Sequence, residues 1–175
     1  MQPSRSASSR SLLAHACAAT LLYGVEAFLL AQGVFAGLAA FVMVVLGIIH
    51  VIRGLLADRW RVRYGSSMIA IYAVMMASVV LTIRANNRLA QRRAEGIVTA
   101  LKLYRSKTGD YPVRLTALVP EYLPAVPLAK YTLLFNEFTY HHDPAQRQGF
   151  LMYAVIPPFG RRTYSLDTDT WGYLD

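Results

Sequence analysis

Three ionisable side chains interrupt the apolar stretches that open this chain: His15, Glu26 and His50. Ionisable groups at membrane depth are costly, and by default they point to an ion or proton path. Glu26 follows His15 by eleven residues, about three helical turns, so the two fall on nearly the same helix face. Conduction also needs partners on a third helix, and the third apolar stretch offers only Tyr72, Ser78 and Thr82. Two histidines are too few for a zinc site. The plainer expectation puts both histidines at an interface and turns Glu26 toward a neighbouring helix or the outer surface.

Further on, His141, His142 and Asp143 stand in a row. Adjacent strand residues point to opposite faces, and no serine or cysteine nucleophile motif accompanies them. A solvated hairpin end is expected there. Asp167 and Asp169 form a weak calcium pair, since calcium takes six or more oxygens. Glu137, Arg161, Arg162 and Trp171 are expected as contacts for a protein partner, or as cross-strand pairs. Met68, Met75 and Met76 are expected to pack rather than carry metal. No catalytic residue and no cofactor is expected.

The elements that must position these groups follow from composition. The chain has 175 residues, 55% of them hydrophobic and only 16% charged, with a net charge of +8. Such a balance is unusual for a water-soluble domain. The charge is spread evenly: residues 1–83 carry six arginines against two acids, and residues 84–175 carry twelve basic residues against eight acids. That fits juxtamembrane anchoring better than a nucleic-acid-binding stripe. The single Cys17 excludes a disulfide framework.

Residues 1–10 form a basic, serine-rich cytoplasmic tail. A cleaved signal peptide or lipoprotein ending near Cys17 would have too short an apolar region before it, so a retained anchor is expected. Residues 11–31 and 34–52 are each long enough to span a bilayer, with a tight break at Gln32-Gly33 between them. Gly37, Ala39, Ala40 and Gly47 suit close helix packing in lipid. Residues 53–64, with four arginines, Trp60 and Tyr64, form a basic interfacial connector. A third span covers 65–83. The arginine excess of the tail and connector places the N-terminus in the cytoplasm and residues 84–175 outside.

No proline breaks the helix-favouring run 84–106, where Leu89, Ile97, Leu101 and Tyr104 recur at near-helical spacing. Gly109 and Pro112 stop it. Leu115 to Val119 form one short turn. Strands are expected over 131–140, 149–156 and 162–166, with a fourth at 171–174, bounded by Asp143-Pro144 and Pro157-Pro158-Phe159-Gly160. One long helix and one small antiparallel sheet bury their apolar faces against each other. The expected class is an α+β membrane protein: residues 11–64 are a hairpin and connector, and 65–175 a span continuing into an extracytoplasmic domain.

From 65 to 175 the chain resembles the type IV pilin and type II secretion pseudopilin family. The matching residues are Tyr104, Gly109, Tyr111, Pro112, Leu115, Leu118, Val119, Tyr122, Leu123, Pro124 and the late Trp171-Gly172-Tyr173. The resemblance implies a pilin-like fold and extracytoplasmic placement, with calcium at Asp167 and Asp169 as in some major pseudopilins. Arg61, Arg63 and Gly65 mimic the family's leader end. The fifth residue after Gly65, however, is Ala70 where a filament subunit carries glutamate, and two extra spans precede it. A fixed anchor is therefore expected, rather than a polymerising subunit.

The expected function is a non-enzymatic, multi-pass bacterial inner-membrane protein with a periplasmic domain. It would scaffold or bind a protein partner, as an accessory to a pilus or secretion system. Alternatives are a membrane-anchored immunity protein that neutralises a periplasmic toxin, and a small transport or signalling subunit.

Overall fold

The computed structural model describes residues 5–30, 33–143, 145, 148–156 and 160–174. The chain divides into two compact units, Met1–Ile83 and Arg84–Asp175. In the first unit, α1 covers Arg5–Val25 and ends in one π-helical turn, Glu26–Leu30. Gly33, at φ 72° in the left-handed region that glycine enters without penalty, precedes α2, Val34–Ala57. The expected break at Gln32-Gly33 and the first four residues of the tail lie partly or wholly outside the described residues.

No extended connector follows α2. The helix runs on to Ala57, a single extended residue, Asp58, turns the chain, and α3 starts at Arg59. Arginine is a good helix former, so most of the basic connector expected over 53–64 is helical. Three helices (Ser8–Leu30, Val34–Leu56 and the apolar part of Arg59–Thr108) are long and apolar enough to cross a membrane. Their shared core holds Ala19, Ala36, Ala40, Tyr72, Met75 and Val79. The helix α3 is unbroken through Thr108. Gly109, at φ 91°, then donates its N–H to the Arg105 carbonyl and ends it.

In the second unit, a 3₁₀ turn at Leu115–Leu118 precedes four strands: β1 Thr139–Asp143, β2 Gln148–Ile156, β3 Gly160–Ser165 and β4 Thr170–Leu174. They form an antiparallel meander in sequence order. Leu151 pairs with Tyr140 on one side and Tyr164 on the other. Alternate β2 residues Gly149, Leu151 and Tyr153 are buried, so one face of the sheet is covered. Opposite them, α3 contributes Ala90, Ala94, Ile97 and Leu101. The small alanines allow close approach, and fully burying Leu101 contributes roughly 2 kcal/mol.

The expected strand over 131–140 is absent for most of its length. Residues 129–136 instead close on themselves: the Ala129 N–H bonds the Asn136 carbonyl, and the Thr132 hydroxyl bonds the Leu134 carbonyl. Phe135 adopts φ 55°, which no strand accommodates. Aromatic and β-branched content fits a half-buried pleat, but here Tyr131, Leu133, Leu134 and Phe135 face outward from a loop while Thr132 is buried in it. The turns expected at Pro144 and at Pro157-Pro158-Phe159 fall on residues outside those described.

Candidate functional site

In the first unit the polar side chains gather around Tyr64. Its hydroxyl lies 2.7 Å from Ser11 Oγ and 3.2 Å from His15 Nε2, while His15 Nδ1 lies 3.3 Å from the Tyr72 hydroxyl. His50 turns its Nδ1 to the Leu46 carbonyl, and its ring stands 5.4 Å from that of Tyr64. Both histidines therefore meet one tyrosine. Tyr64 and Tyr72 are eight residues apart, two turns along one face of α3, and that spacing was the available signal.

Glu26 has a different task. Its Oε2 accepts the Gly33 N–H at 2.8 Å, and its Oε1 accepts those of Phe35 at 2.9 Å and Ala36 at 3.2 Å. The first N–H groups of α2 have no partner within their own helix. A buried carboxylate supplied from the preceding turn completes them and complements the helix dipole. The carboxylate is occupied as a cap, not left open to a path.

Gly65 packs against Gly47. A Cβ on Gly65 would stand 2.5 Å from the Gly47 carbonyl oxygen, so α2 and α3 cross there at backbone contact. Close packing is reason enough for glycine at both positions. Gly37, by contrast, meets nothing within 4 Å.

In the second unit the densest set of titratable groups lies where α3 ends. Arg105, Asp110, Tyr111, His142 and Asp167 line a cleft of about 460 Å³. His142 is buried rather than solvated. Its Nε2 lies 3.2 Å from Asp110 Oδ1, and its ring meets that of Tyr111 edge-on at 5.7 Å. The Tyr111 backbone N–H, donated to Asp110 Oδ1, and then the nearby His142 hold the Asp110 carboxyl below its ordinary range. Arg105 lies 4.8 Å over the Tyr111 ring. His141 is exposed at the end of β1, as expected of a solvated hairpin end, but His142 departs from that expectation because it points the other way, onto the 109–112 turn. The pair ties that turn to the sheet, and no Ser, Thr or Cys lines the cleft among the described residues.

The other expected residues are scattered. Glu137 and Arg161 line one shallow pocket together with Phe135. Arg162 lies 5.7 Å over the Trp171 ring, which packs against Tyr164. Asp169 pairs with Lys102 at 2.6 Å and accepts the Tyr164 hydroxyl, whereas Asp167 faces the cleft. Among the described residues no three His, Cys, Asp or Glu side chains gather as a metal site.

One buried charge had no sequence signal. Lys130 is almost fully buried; its Nζ donates to the Val155 carbonyl at 2.9 Å, and burial lowers its pKa to about 8. A lysine in a proline-rich link reads as solvated. No protein-family model matches the chain, and neither a curated protein nor a solved structure matches it.

Proposed function

We propose that the chain is a three-span inner-membrane protein whose residues 84–175 form a pilin-like, extracytoplasmic domain that binds a protein partner. In this reading it is non-enzymatic and accessory to a type IV pilus or type II secretion system. One observation carries it: α3, Arg59–Thr108, supplies both the last apolar span and the buried stripe of the α+β unit. A single helix serving as membrane anchor and as spine of a sheet is the construction that the resemblance implies. Gly65 is accounted for by its contact with Gly47, and Ala70 lacks the carboxylate of a filament subunit, so the anchor is fixed. Glu26 as a cap weighs against a transport role.

A C-terminal alkaline phosphatase fusion tests the orientation. Activity is expected, and an inactive fusion overturns it. A photo-crosslinker at Glu137 or Arg161 in intact cells should give a discrete adduct heavier than the chain. Absence of any adduct at both positions removes the partner-binding reading.

A further inference from the structure

The sheet ends in an open edge, since β4 is the last strand in the order β1-β2-β3-β4. Just past β3, the Leu166 N–H bonds the Gly149 carbonyl beside β2. Backbone direction alternates along a strand, so Leu166, Tyr164 and Arg162 turn toward β2, and Ser165, Thr163 and Arg161 toward β4. Their partners Thr170, Gly172 and Leu174 are thereby paired, and Trp171 and Tyr173 point their N–H and C=O groups away from the sheet. Such an edge is a template for another strand unless charge, proline or a bulge blunts it. Thr170–Leu174 has no charged residue and no proline, and its register with β3 runs through five consecutive pairs without a break. Thr170, Gly172, Tyr173 and Leu174 are exposed.

Two arginines flank this edge, one on each face of the sheet. Arg161 stands opposite Leu174, and Arg162, on the other face, holds its guanidinium 5.7 Å over the Trp171 ring. Neither forms an ion pair among the described residues, and Arg162 Nε is buried without a hydrogen-bond partner. Glu137 lines a pocket with Arg161 without pairing with it, and Glu95 Oε1 accepts from Gln91. We infer that β4 takes up a fifth strand, an extended, carboxylate-bearing segment of the protein partner proposed above. The inference rests on that partner-binding reading and names the partner's chemistry. The incoming backbone completes the outward groups of Trp171 and Tyr173, and its acids meet Arg161 and Arg162. A strand added at the usual spacing lies about 10 Å from the β3 backbone, a span that an arginine and a carboxylate side chain cover together. A second copy of the chain fits less well, because its own β4 has no carboxylate between 170 and 174 to meet the arginines.

The test uses the full chain in detergent and residue-resolved amide hydrogen exchange. The probe is a synthetic decapeptide of alternating threonine and glutamate at millimolar concentration, with its threonine–lysine counterpart as control. In the free chain the Trp171 and Tyr173 amides should exchange fast while that of Gly172 is protected. The acidic peptide should slow both at least about threefold, and the lysine peptide should not. Arg161→Gln with Arg162→Gln should remove that slowing. Tyr173→Pro deletes one outward N–H and leaves the β3 ladder whole, so it should abolish the slowing at Trp171 with β3 unaltered. No slowing with the acidic peptide overturns the inference, as does equal slowing by the lysine peptide. Protection that grows with chain concentration in the absence of peptide assigns the edge to a second copy and overturns it too. Photo-crosslinking at Glu137 and Arg161 separates the two readings. A discrete adduct with an unprotected β4 sinks the fifth strand alone, and no adduct with an unprotected β4 sinks both.

Discussion

Glu26 in one unit and Lys130 in the other are both buried against backbone, and the two arrangements differ. Glu26 accepts three N–H groups at the start of a helix, whereas Lys130 donates to one carbonyl. The carboxylate meets the positive end of a helix dipole and completes donors that would otherwise stand unpaired. The lysine donates to a single carbonyl, and burial away from water lowers its pKa. The cores differ in the same sense. Alanines and a glycine crossing hold the three-helix unit together, while Ile97, Leu101, Leu118, Leu151, Tyr153 and Tyr164 fill the α+β unit. Close approach suffices where the surroundings are as apolar as the core. In water, stability comes from buried apolar area.

Four substitutions test that contrast. Leu101→Ala should have the largest effect, lowering the stability of the α+β unit by about 2–5 kcal/mol and leaving the three-helix unit unaffected. Chemical unfolding of the full chain, followed by tyrosine and tryptophan fluorescence, reads it; a loss below about 1 kcal/mol would mean that the helix does not rely on this stripe.

Lys130→Met should stabilise at neutral pH, by on the order of 3 kcal/mol, because the folded state holds the ammonium poorly. The sign follows from the lowered pKa. Between about 8 and the ordinary 10.5 the unfolded chain binds more protons, so wild-type stability rises with pH there and its deficit against the methionine variant closes. Burial raises Tyr153 to about 12, which opposes this above the ordinary tyrosine value of 10. Unfolding midpoints from pH 7 to 11 measure both; a difference that stays constant with pH contradicts the buried lysine.

Glu26→Ala leaves three N–H groups without their acceptor and should cost the three-helix unit about 2 kcal/mol. Thermal loss of helicity in detergent reads it, with no change expected in the α+β unit. Unaltered helix stability would reopen a role for this carboxylate other than capping. Glu121→Gln should have the smallest effect, because its pair with Lys107 is fully solvated and screened. Its midpoint should match that of wild type within error.

The helices, the helix-ending glycines and the last three strands were legible because they depend on local periodicity. The apolar runs, Gly33, Gly109 and the 3₁₀ turn fell close to expectation. The site was less so. His142 and Asp110 are 32 residues apart, Lys130 and Val155 25 apart, and Ser11 and Tyr64 53 apart. No periodicity within one segment encodes such pairs. The aromatic composition of 131–135 did suggest a strand, yet two hydrogen bonds closed it into a loop.

By itself, the order of residues determined that three apolar helices precede a helix-and-sheet unit, since hydropathy and helix propensity act over one or two turns. Only the tertiary structure decided that Glu26 is a cap, that His142 and Lys130 are buried, and that Leu133 is exposed. Each of those states depends on which distant backbone group arrives beside the side chain, and that is set by packing rather than by neighbours in sequence.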